Sequence, residues 1–367
     1  MPRRLWLMLL YLAVAAAACT PATPAATPTL APTSTLAGTP TPPAPTTLTV
    51  MTHDSFAASD GVVKDFEQAN NAKLQFLKSG DAGTALNKAV LSKDAPLADV
   101  FYGVDNTYLS RALQADIYMP YESPALASIP DAFQLDLSHR ALPVDYGDVC
   151  VNYDLAYFSS KGLTPPQTLE DLAQPAYKGL LVTENPATSS PGLAFLLATI
   201  SHFGPDKYLD FWKQMRANDV KVDDGWETAY YTDFSGSSGK GPRPLAVSYA
   251  SSPPAEVIFA TPTPTEAPTA SVVGPGTCFR QIEFVGILKG AKNLALAQKW
   301  VDYMLGQKFQ ADMPLQMFVF PVQPGVALPP EFTRWAQVPA QPATLSPDDI
   351  AANRDAWIAA WTQTVLR

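Results

Sequence analysis

From Thr47 onward, short apolar runs alternate along the chain with amphipathic stretches of helical period. Short β-branched runs predict strands, and apolar residues three and four apart predict helices. The strands are predicted at residues 48–52, 73–78, 98–102, 180–183 and 245–249, and the helices at residues 62–69, 84–92, 189–202 (with Ser190 as N-cap and Pro191 in the first turn) and 206–216. This alternation favours an α/β fold with a mainly parallel sheet, whose ligands gather at the carboxyl ends of the strands.

Three further segments complete the predicted pattern. Residues 144–153 and 277–288 predict two strands longer than the others. Residues 261–276 are rich in Pro and Thr, which predicts a loop inserted at the surface. The sequence Ser346-Pro-Asp-Asp is typical of a helix start, so a helix is predicted from there to the C-terminus.

The N-terminus has the composition of an export signal. Arg3 and Arg4 precede an apolar run, residues 5–18, that is shorter than the ~20 residues of a spanning helix. Residues 1–18 are therefore predicted to be a signal peptide, and the small residues before Cys19 resemble a bacterial lipobox, which predicts a lipid on Cys19. An ordinary secretory signal that leaves Cys19 as a free thiol is the alternative. Residues 19–46, rich in Pro and Thr, predict an extended linker.

The net charge of the chain limits the class of binding partner that is expected. The chain carries 25 Lys and Arg against 34 Asp and Glu, a net charge of −9. Without the first 46 residues, which hold only Arg3 and Arg4 as charges, 23 basic residues face 34 acidic ones, a net charge of −11. Nucleic acid is not an expected partner, because binding its phosphates needs a basic face. The charge is compatible with a small cationic ligand.

The sequence offers little catalytic chemistry. It contains three histidines and no HExxH, GxSxG or dinucleotide-binding glycine pattern. No nucleophile has an evident base, so an enzyme, a cofactor and a metal site are not expected. Beyond Cys19, the chain has Cys150 and Cys278. In an exported protein, such a pair favours a disulfide over a redox or zinc site, with two buried free thiols as the alternative.

Seven loop segments and the last helix together carry a family resemblance. The segments are residues 48–56, 98–106, 144–147, 188–192, 225–230, 248–253 and 320–322, and the helix is the one that begins at Pro347. They are similar, in the same order and at similar spacing over residues 47–367, to segments of the thiamine-binding proteins of ABC importers. The resemblance implies a two-lobed periplasmic-binding-protein-like fold of type II, in which each lobe is a mixed sheet flanked by helices and the hinge consists of crossing strands.

The same resemblance implies where the lobes divide. Lobe 1 is expected to comprise residues 47–145 and 285–322, and lobe 2 residues 146–284 and 323–367, with the insertion at 261–276. The two long strands then cross between the lobes as antiparallel neighbours. In that topology Cys150 and Cys278 face each other on the lobe 2 side, where a disulfide is expected to join them.

The ligand implied by the resemblance is thiamine, a thiamine phosphate or a related compound. A thiazolium cation favours aromatic faces and nearby carboxylates, and the helix start at Ser189 and Ser190 is suited to a phosphate or hydroxyl. The implied site residues are His53, Asp54, Ser55, Asp105, Asn106, Ser189, Ser190, Trp226, Tyr230, Tyr249 and Phe318. Three positions depart from the family pattern: His53 replaces a Tyr, Phe318 replaces a Trp, and Ala255 stands where an aromatic residue is usual.

The function that follows from this resemblance is transport. We expect a monomeric substrate-binding component that is lipid-anchored outside the cytoplasmic membrane and delivers its ligand to an ABC permease and its ATPase. A polyamine or ferric iron is an alternative ligand, because Tyr230, Tyr231 and Tyr249 suit both. A ligand-sensing partner of a receptor remains open, and an extracellular enzyme of the same fold is less favoured.

Overall fold

The computed structural model describes residues 44–367, which form a mixed α/β structure. The predicted signal peptide, Cys19 and nearly all of the predicted linker lie outside these residues. The strands are β1 Thr46–Thr52, β2 Ala72–Lys78, β3 Val100–Asp105, β4 Tyr118–Met119, β5 Leu142–Asp154, β6 Leu181–Glu184, β7 Lys221–Asp223, β8 Leu245–Tyr249, β9 Thr269–Val272, β10 Phe279–Leu288 and β11 Phe320–Pro321. The helices are α1 Asp60–Asn70, α2 Ala82–Leu91, α3 Leu109–Gln114, α4 Leu155–Lys161, α5 Leu169–Leu172, α6 Ser190–Phe203, α7 Tyr208–Ala217, α8 Trp226–Thr228, α9 Pro253–Ile258, α10 Leu294–Met304, α11 Gln307–Gln316, α12 Pro330–Trp335 and α13 Pro347–Val365.

One curled sheet joins all the strands of residues 44–367. Its main path runs β2-β1-β3-β10-β5-β8-β6-β7, while β4 pairs with β10, and β9 and β11 pair with β5. The β1–β2, β1–β3, β6–β7 and β6–β8 pairs are parallel. The mainly parallel edges therefore lie at the two ends of the path, and their carboxyl ends carry the loops on which ligand chemistry is expected.

The two long strands lie next to each other at the middle of the sheet. β5 and β10 pair antiparallel, with Glu283 opposite Asp145 and Phe279 opposite Val149. This confirms the expected strand pair at the centre of the fold. The division of the chain into two lobes at residues 145 and 285 stays a prediction.

Two local predictions were wrong. The Pro/Thr-rich segment 261–276 is not a loop throughout, because its Thr269–Val272 portion is the buried strand β9 paired with β5. This portion pairs with the side of β5 that β10 leaves free beyond Val149, and the pairing outweighs the loop-like composition around it. Ser190 is not the N-cap of α6: Ser189 is the cap residue, and Ser190 is the first helical residue.

Two large apolar clusters stabilise the sheet. The first packs β1, β3 and β10 against α10 and α11, around Trp300 and Phe309. The second surrounds α6, whose residues from Ser190 to Ile200 are all buried, so this helix is apolar on every side. Trp212 of α7 contacts both Phe195 of α6 and Trp361 of α13, with ring centroids 5.7 and 5.4 Å apart. Burial of such rings is the main source of stability here.

The C-terminal helix α13 ties distant parts of the chain together. Ser346 caps it by accepting the Asp349 backbone N–H, as the sequence predicts. The buried Arg354 donates to Ser110 Oγ at 3.2 Å and lies over the ring of Tyr108. Within residues 44–367, no helix is both long and apolar enough to cross a membrane.

A disulfide connects the two central strands. Cys150 and Cys278 are bonded, their Cα atoms are 4.4 Å apart, and both side chains are fully buried. The β5–β10 register places them opposite each other, one step beyond the Phe279–Val149 pair. The structure therefore agrees with the expected pairing.

Candidate functional site

A cavity opens where the loops at the carboxyl ends of β1, β6 and β8 converge. It holds about 1000 Å³ of empty space, including the part open to solvent. The cavity is lined by His53, Ser55, Ala57, Asp81, Ala82, Ser190, Pro191, Trp226, Glu227, Tyr230, Tyr231, Tyr249, Ser252, Ala255, Phe259, Glu283, Gln316, Met317, Phe318 and Val319.

One side of the cavity is an aromatic wall, consisting of Trp226, Tyr230, Tyr231 and Tyr249. The Trp226 and Tyr230 rings stack, with centroids 4.9 Å apart, and Tyr231 meets the edge of Trp226 at 5.4 Å. Tyr230 is fully buried and packs behind Trp226 into a small apolar cluster with Phe234. Trp226 Nε1 donates to Ser248 Oγ at 3.0 Å. Packing from behind thus fixes the rings in orientation.

The wall arises because the chain turns sharply after β7. Gly225 caps the short helix α8, which continues directly into a π-helical turn at Ala229–Asp233. Trp226, Tyr230 and Tyr231 thereby lie on one short winding of backbone, and Tyr249 joins them from the end of β8. Behind the wall, burial raises the pKa of Glu256 to about 6, beside the Tyr230 hydroxyl.

The cavity also has a polar floor, which consists of His53 and Glu283 in its lining and of Tyr102 and Asp145 buried next to Glu283. His53 Nε2 lies 3.4 Å from Glu283 Oε1. The Tyr102 hydroxyl lies 2.6 Å from Asp145 Oδ2 and 2.8 Å from Glu283 Oε2. Glu283 and Asp145 face each other on β10 and β5, so the floor lies on the central strand pair.

The residues of the polar floor shift one another's pKa values. Burial raises the pKa of Asp145 well above its ordinary value, and the adjacent Glu283 charge raises it further. Burial also acts to raise the pKa of Glu283, but His53 and Tyr102 hold it below the usual range. For His53, burial alone would lower the pKa, yet the Glu283 carboxylate raises it overall. Between these two acids, the proton therefore favours Asp145 and the negative charge favours Glu283.

A glycine makes room for the floor. Gly103 has φ +110°, a conformation that L side chains rarely adopt, and a Cβ there would lie 2.5 Å from His53 Cδ2. The His53 ring therefore packs directly on the β3 backbone. Any side chain at position 103 would push the imidazole out of the floor.

A hydrogen-bonded chain runs beneath the cavity from one side to the other. The Tyr249 hydroxyl donates to Gln281 Oε1 at 2.6 Å, and Gln281 Nε2 donates to Asp105 Oδ2 at 2.8 Å. Ser190 Oγ also donates to Asp105. Burial raises the pKa of Asp105 to about 6, although hydrogen bonds from Ser190 and Thr107 act to lower it.

Asp81 connects three loops at the mouth of the cavity. Its Oδ1 caps α2 by accepting the Ala82 N–H at 2.6 Å, and it lies 3.5 Å from the Ser190 N. Its Oδ2 accepts the Trp226 backbone N–H at 2.9 Å. One carboxylate thus positions α2, the start of α6 and the aromatic wall together.

The geometry is that of a small-molecule binding site, and the comparison with known proteins identifies its class. The family model described as bacterial extracellular solute-binding protein matches residues 95–353. The chain belongs to this family.

Relatives of this solute-binding protein agree with the resemblance drawn from its loop segments. A thiamine-binding periplasmic protein of Salmonella typhimurium is 31% identical over 325 residues, which cover 87% of this chain and 94% of the relative. A solved periplasmic thiamin binding protein superposes with a TM-score of 0.77 at 28% identity, over 88% of this chain and 96% of the other. These matches confirm the resemblance and the type II fold.

More distant structures share the fold alone. The apo ferric ion-binding protein A of Pasteurella haemolytica superposes with a TM-score of 0.68 at 20% identity, covering 87% of this chain and 97% of that one. The relatives are solute-binding transport proteins, so the expectation that this solute-binding protein is not an enzyme is confirmed. In the part of the chain that the structure describes, no group of three His, Cys, Asp or Glu side chains is arranged to hold a metal ion.

Seven of the residues predicted for the site lie at the cavity: His53, Ser55, Ser190, Trp226, Tyr230, Tyr249 and Phe318. The other four do not line it. Asp54 braces the loop before α2 by accepting the Gly80 N–H at 2.8 Å. Asn106 bonds to the β10 backbone.

Asp105 lies behind Ser190 and contributes through the buried chain, while Ser189 is the fully buried cap of α6. Both residues lie below the surface of the cavity, and their contact with a ligand stays a prediction. A short polar motif after a strand predicts proximity to a site, but the fold decides which of its side chains reach the surface.

Several lining residues were not predicted. Asp81 precedes a helix that the sequence predicted, so its capping role was recognisable, but its long-range bonds to residues 190 and 226 were not. Glu283 lies within a long apolar strand, where a single buried acid is a signal for a special role. Phe259 and Met317 gave no sequence signal, since both lie in segments of mixed composition.

The three departures from the family pattern all line the cavity. His53 pairs with Glu283 in the polar floor, and Phe318 lies against Phe259, with ring centroids 5.5 Å apart. Ala255 is small, but Phe259 follows it by four residues across α9 and lines the same cavity. Phe259 thus restores an aromatic ring close to the position where Ala255 lacks one.

Proposed function

We propose that the protein is the substrate-binding component of an ABC importer and that it binds thiamine, or a closely related cation, in the cavity. The observation that carries this proposal is the pairing of a stacked aromatic wall with carboxylates on one cavity. Aromatic faces attract a thiazolium ring by cation–π interaction, and buried carboxylates balance its charge. The relatives that bind thiamine supply independent support.

The polar floor suits the other half of such a ligand. An aminopyrimidine has ring nitrogens and an amino group that require hydrogen-bond partners when they leave water. Glu283 supplies a buried acceptor, and Ser55 and Ser252 line the same cavity with hydroxyls. A ligand with one cationic ring and one hydrogen-bonding ring therefore matches the two sides of the cavity.

Ferric iron and polyamines fit the cavity less well. Iron sites of this fold need paired tyrosine oxygens, but the Tyr230 and Tyr231 rings meet edge to face and Tyr230 is fully buried behind Trp226. A polyamine needs acidic groups spaced along an extended chain, whereas the carboxylates here surround one compact cavity. A thiamine-like cation is therefore the ligand that we propose for this cavity.

A thermal-shift panel tests the ligand. The full chain without residues 1–18 would be heated with thiamine, its two phosphates, an aminopyrimidine, spermidine and ferric citrate. A ligand at 100 times its Kd is expected to stabilise the protein by ~2.7 kcal/mol. Stabilisation by spermidine or ferric citrate alone, confirmed by calorimetry, would contradict the proposal.

The membrane attachment is a separate part of the proposal. A lipid on Cys19, followed by the Pro/Thr-rich linker of residues 19–46, would hold the binding lobes away from the membrane surface near the permease. The lobes would be residues 47–145 with 285–322, and 146–284 with 323–367, closing over the cavity as a monomer.

Substitution of the cysteine tests the anchor. Cys19→Ser should release the protein from membranes, because the lipid is the proposed attachment. Fractionation followed by a carbonate wash measures this, and Ser34→Ala in the same linker is the matched control. A Cys19→Ser protein that stays with the membrane after the wash would exclude the lipid anchor.

A further inference from the structure

The polar floor presents one negative charge to the cavity. The Tyr102 hydroxyl lies 2.6 Å from Asp145 Oδ2 and 2.8 Å from Glu283 Oε2, but a hydroxyl has a single hydrogen to donate. Both contacts are hydrogen bonds only if one of the two acids also carries a hydrogen, and the opposite pKa shifts favour Asp145 as its carrier. Glu283 lines the cavity, whereas Asp145 does not. Glu283 is therefore the counter-charge that the floor offers to a cationic ligand.

His53 lies beside that charge. Its Nε2 is 3.4 Å from Glu283 Oε1, and each of the two side chains is only 10% exposed. The imidazole packs on the β3 backbone at Gly103 and lies next to the Tyr102 ring, with centroids 5.7 Å apart, so neighbours on two sides hold it near Glu283. An imidazolium at this position pairs with Glu283, and a neutral imidazole leaves the carboxylate free.

The other ionisable groups around His53 are acids and tyrosine hydroxyls. The surrounding groups are Tyr102 from β3, Asp145 from β5, Glu283 from β10, Asp81 from the cap of α2 and Asp54 from the same loop as His53. The wall adds Glu227 and its tyrosine hydroxyls, and in the described part of the chain no Lys or Arg lines the cavity. A protonated His53 is then the cationic side chain of the lining, and it occupies the place where a cationic ligand would find its counter-charge.

We propose that His53 is a proton-binding site that competes with the cationic ligand, so that binding of the ligand expels a proton from the cavity. The inference rests on the proposed function, because it concerns binding of the same ligand. Two cations that share one carboxylate in a largely buried site repel each other strongly. A Tyr, which the family pattern has at this position, would not carry such a charge near neutral pH. The competition is therefore specific to the substitution in this chain.

The exchange of the two cations balances in charge. In the free protein, the His53 imidazolium and the Glu283 carboxylate neutralise each other. When the ligand enters, one N–H bond of the imidazolium breaks, the proton passes to the solvent, and the ligand cation takes its place beside Glu283. Burial alone lowers the pKa of His53, but the Glu283 carboxylate raises it above the ordinary 6.5, so the proton is bound at mildly acidic pH. Affinity should therefore increase with pH until this pKa is passed and then stay level.

The test is calorimetric titration of the full chain without residues 1–18 with thiamine, at pH 6.5, in two buffers that differ in ionisation enthalpy. The dependence of the heat on the buffer gives the number of protons released. This number should be at least about one half, because His53 in the free protein is at least half protonated at pH 6.5. At pH 8.5 it should be smaller, and the affinity should be at least about threefold higher than at pH 6.

The outcomes separate this inference from the proposed function. Thiamine that binds at pH 6.5 without releasing a proton would overturn the competition and leave the proposed function intact. Failure of thiamine to bind at any of these pH values would overturn both.

Substitutions identify the group that loses the proton. His53→Gln keeps a hydrogen-bonding side chain that does not become charged near neutral pH, so its proton release at pH 6.5 should fall close to zero and its affinity should become nearly independent of pH. His53→Tyr restores the residue of the family pattern and should behave in the same way, which keeps the test available should His53→Gln fold poorly. Proton release that persists in both variants would show that His53 is not the competing site.

The matched control is a histidine that is also paired with an acid. His202 Nε2 lies 2.8 Å from Glu170 Oε1, away from the cavity, so His202→Gln should keep the wild-type proton release and pH dependence. Asp206→Asn, at an exposed position before α7, removes a surface acid and should also leave both values unchanged. If either control abolished the proton release, the release could not be assigned to His53.

Discussion

The aromatic wall and the polar floor of the cavity are held in place by different interactions. The aromatic wall is held by ring contacts and by the apolar cluster behind it, and Trp226 Nε1 donates to a serine hydroxyl. The polar floor is held by a tyrosine hydroxyl, a histidine and two facing acids whose pKa values are shifted in opposite directions. Packing therefore holds the wall, whereas hydrogen bonds and charges hold the floor.

This difference separates two properties of binding. Packed rings provide contact area that changes little with pH, whereas buried titratable groups make charge balance depend on pH. The wall is therefore expected to determine how tightly the ligand binds. The floor and the buried chain below it are expected to determine which charge state is accepted and how stability varies with pH.

The largest effect, on ligand affinity, is expected from a substitution in the aromatic wall. Trp226→Ala removes the ring that stacks on Tyr230, while the backbone N–H to Asp81 remains. We expect the affinity for thiamine to fall about a hundredfold, equal to ~2.7 kcal/mol, by a similar factor at pH 6, 7 and 8. Isothermal titration calorimetry measures this.

The matched control for that change is Trp335→Ala, because Trp335 lies on α12 outside the cavity, beside Arg334. It should leave the affinity unchanged. If Trp226→Ala bound thiamine as tightly as the wild type, the wall would not be the contact surface. If its effect grew strongly with pH, the separation between wall and floor would fail.

An intermediate effect, on stability, is expected from Asp105 in the hydrogen-bonded chain beneath the cavity. The pKa of Asp105 in the fold is about 6, above its ordinary value of 3.8, so the folded state binds a proton that the unfolded state has released between these pH values. Stability from this group is therefore present at low pH and is lost as pH rises from about 4 through 6. Asp105→Asn removes this dependence.

The free energy of unfolding of Asp105→Asn, relative to wild type, should therefore increase by about 2 kcal/mol between pH 4 and pH 7. Urea unfolding at a series of pH values measures the difference, and Asp206→Asn serves again as control. A difference that stays constant over this pH range would show that Asp105 does not change its protonation state there.

The smallest effect is expected on the floor. Glu283→Gln removes the carboxylate that raises the pKa of His53, so burial should then lower that pKa below its ordinary value. The stability that protonated His53 provides is present below pH 6.5 and is lost as pH rises through the raised pKa; this loss should disappear in the variant.

The histidine resonances in a nuclear magnetic resonance titration measure the change, and thiamine affinity should fall about tenfold because one balancing charge is lost. Glu122→Gln, at an exposed acid beside a different histidine, should leave the His53 titration at its wild-type value. If the pKa of His53 did not fall in Glu283→Gln, the Glu283 carboxylate would not be the group that raises it.

The wall was more predictable from the sequence than the floor. Trp226, Tyr230 and Tyr249 occupy local motifs bounded by Gly, Ser and Pro, and such loops after strands are recognisable in one chain. The two long strands β5 and β10 were predicted as elements from their own residues, and their antiparallel pairing was implied by the family resemblance. The aromatic motifs and the strands themselves depend on neighbours in sequence.

The floor depends instead on register. Asp145 meets Glu283 only because β5 and β10 pair at one alignment, and a shift of either strand by a single residue would place the two acids on opposite faces of the sheet. Asp81 likewise gains its partners from positions more than a hundred residues away. β9 was missed for the same reason, since Thr269–Val272 becomes a strand through pairing with β5.

The disulfide has a consequence for how the protein is made. The Cys150–Cys278 bond encloses the whole aromatic wall in one covalent ring, and Ala250, the residue after Tyr249, packs against both cysteines. The bond keeps the wall segment close to the central strands even when the wall is not packed. A chain retained in a reducing cytoplasm must assemble the same wall without this tether. The compartment in which the protein matures is therefore part of what forms its binding surface.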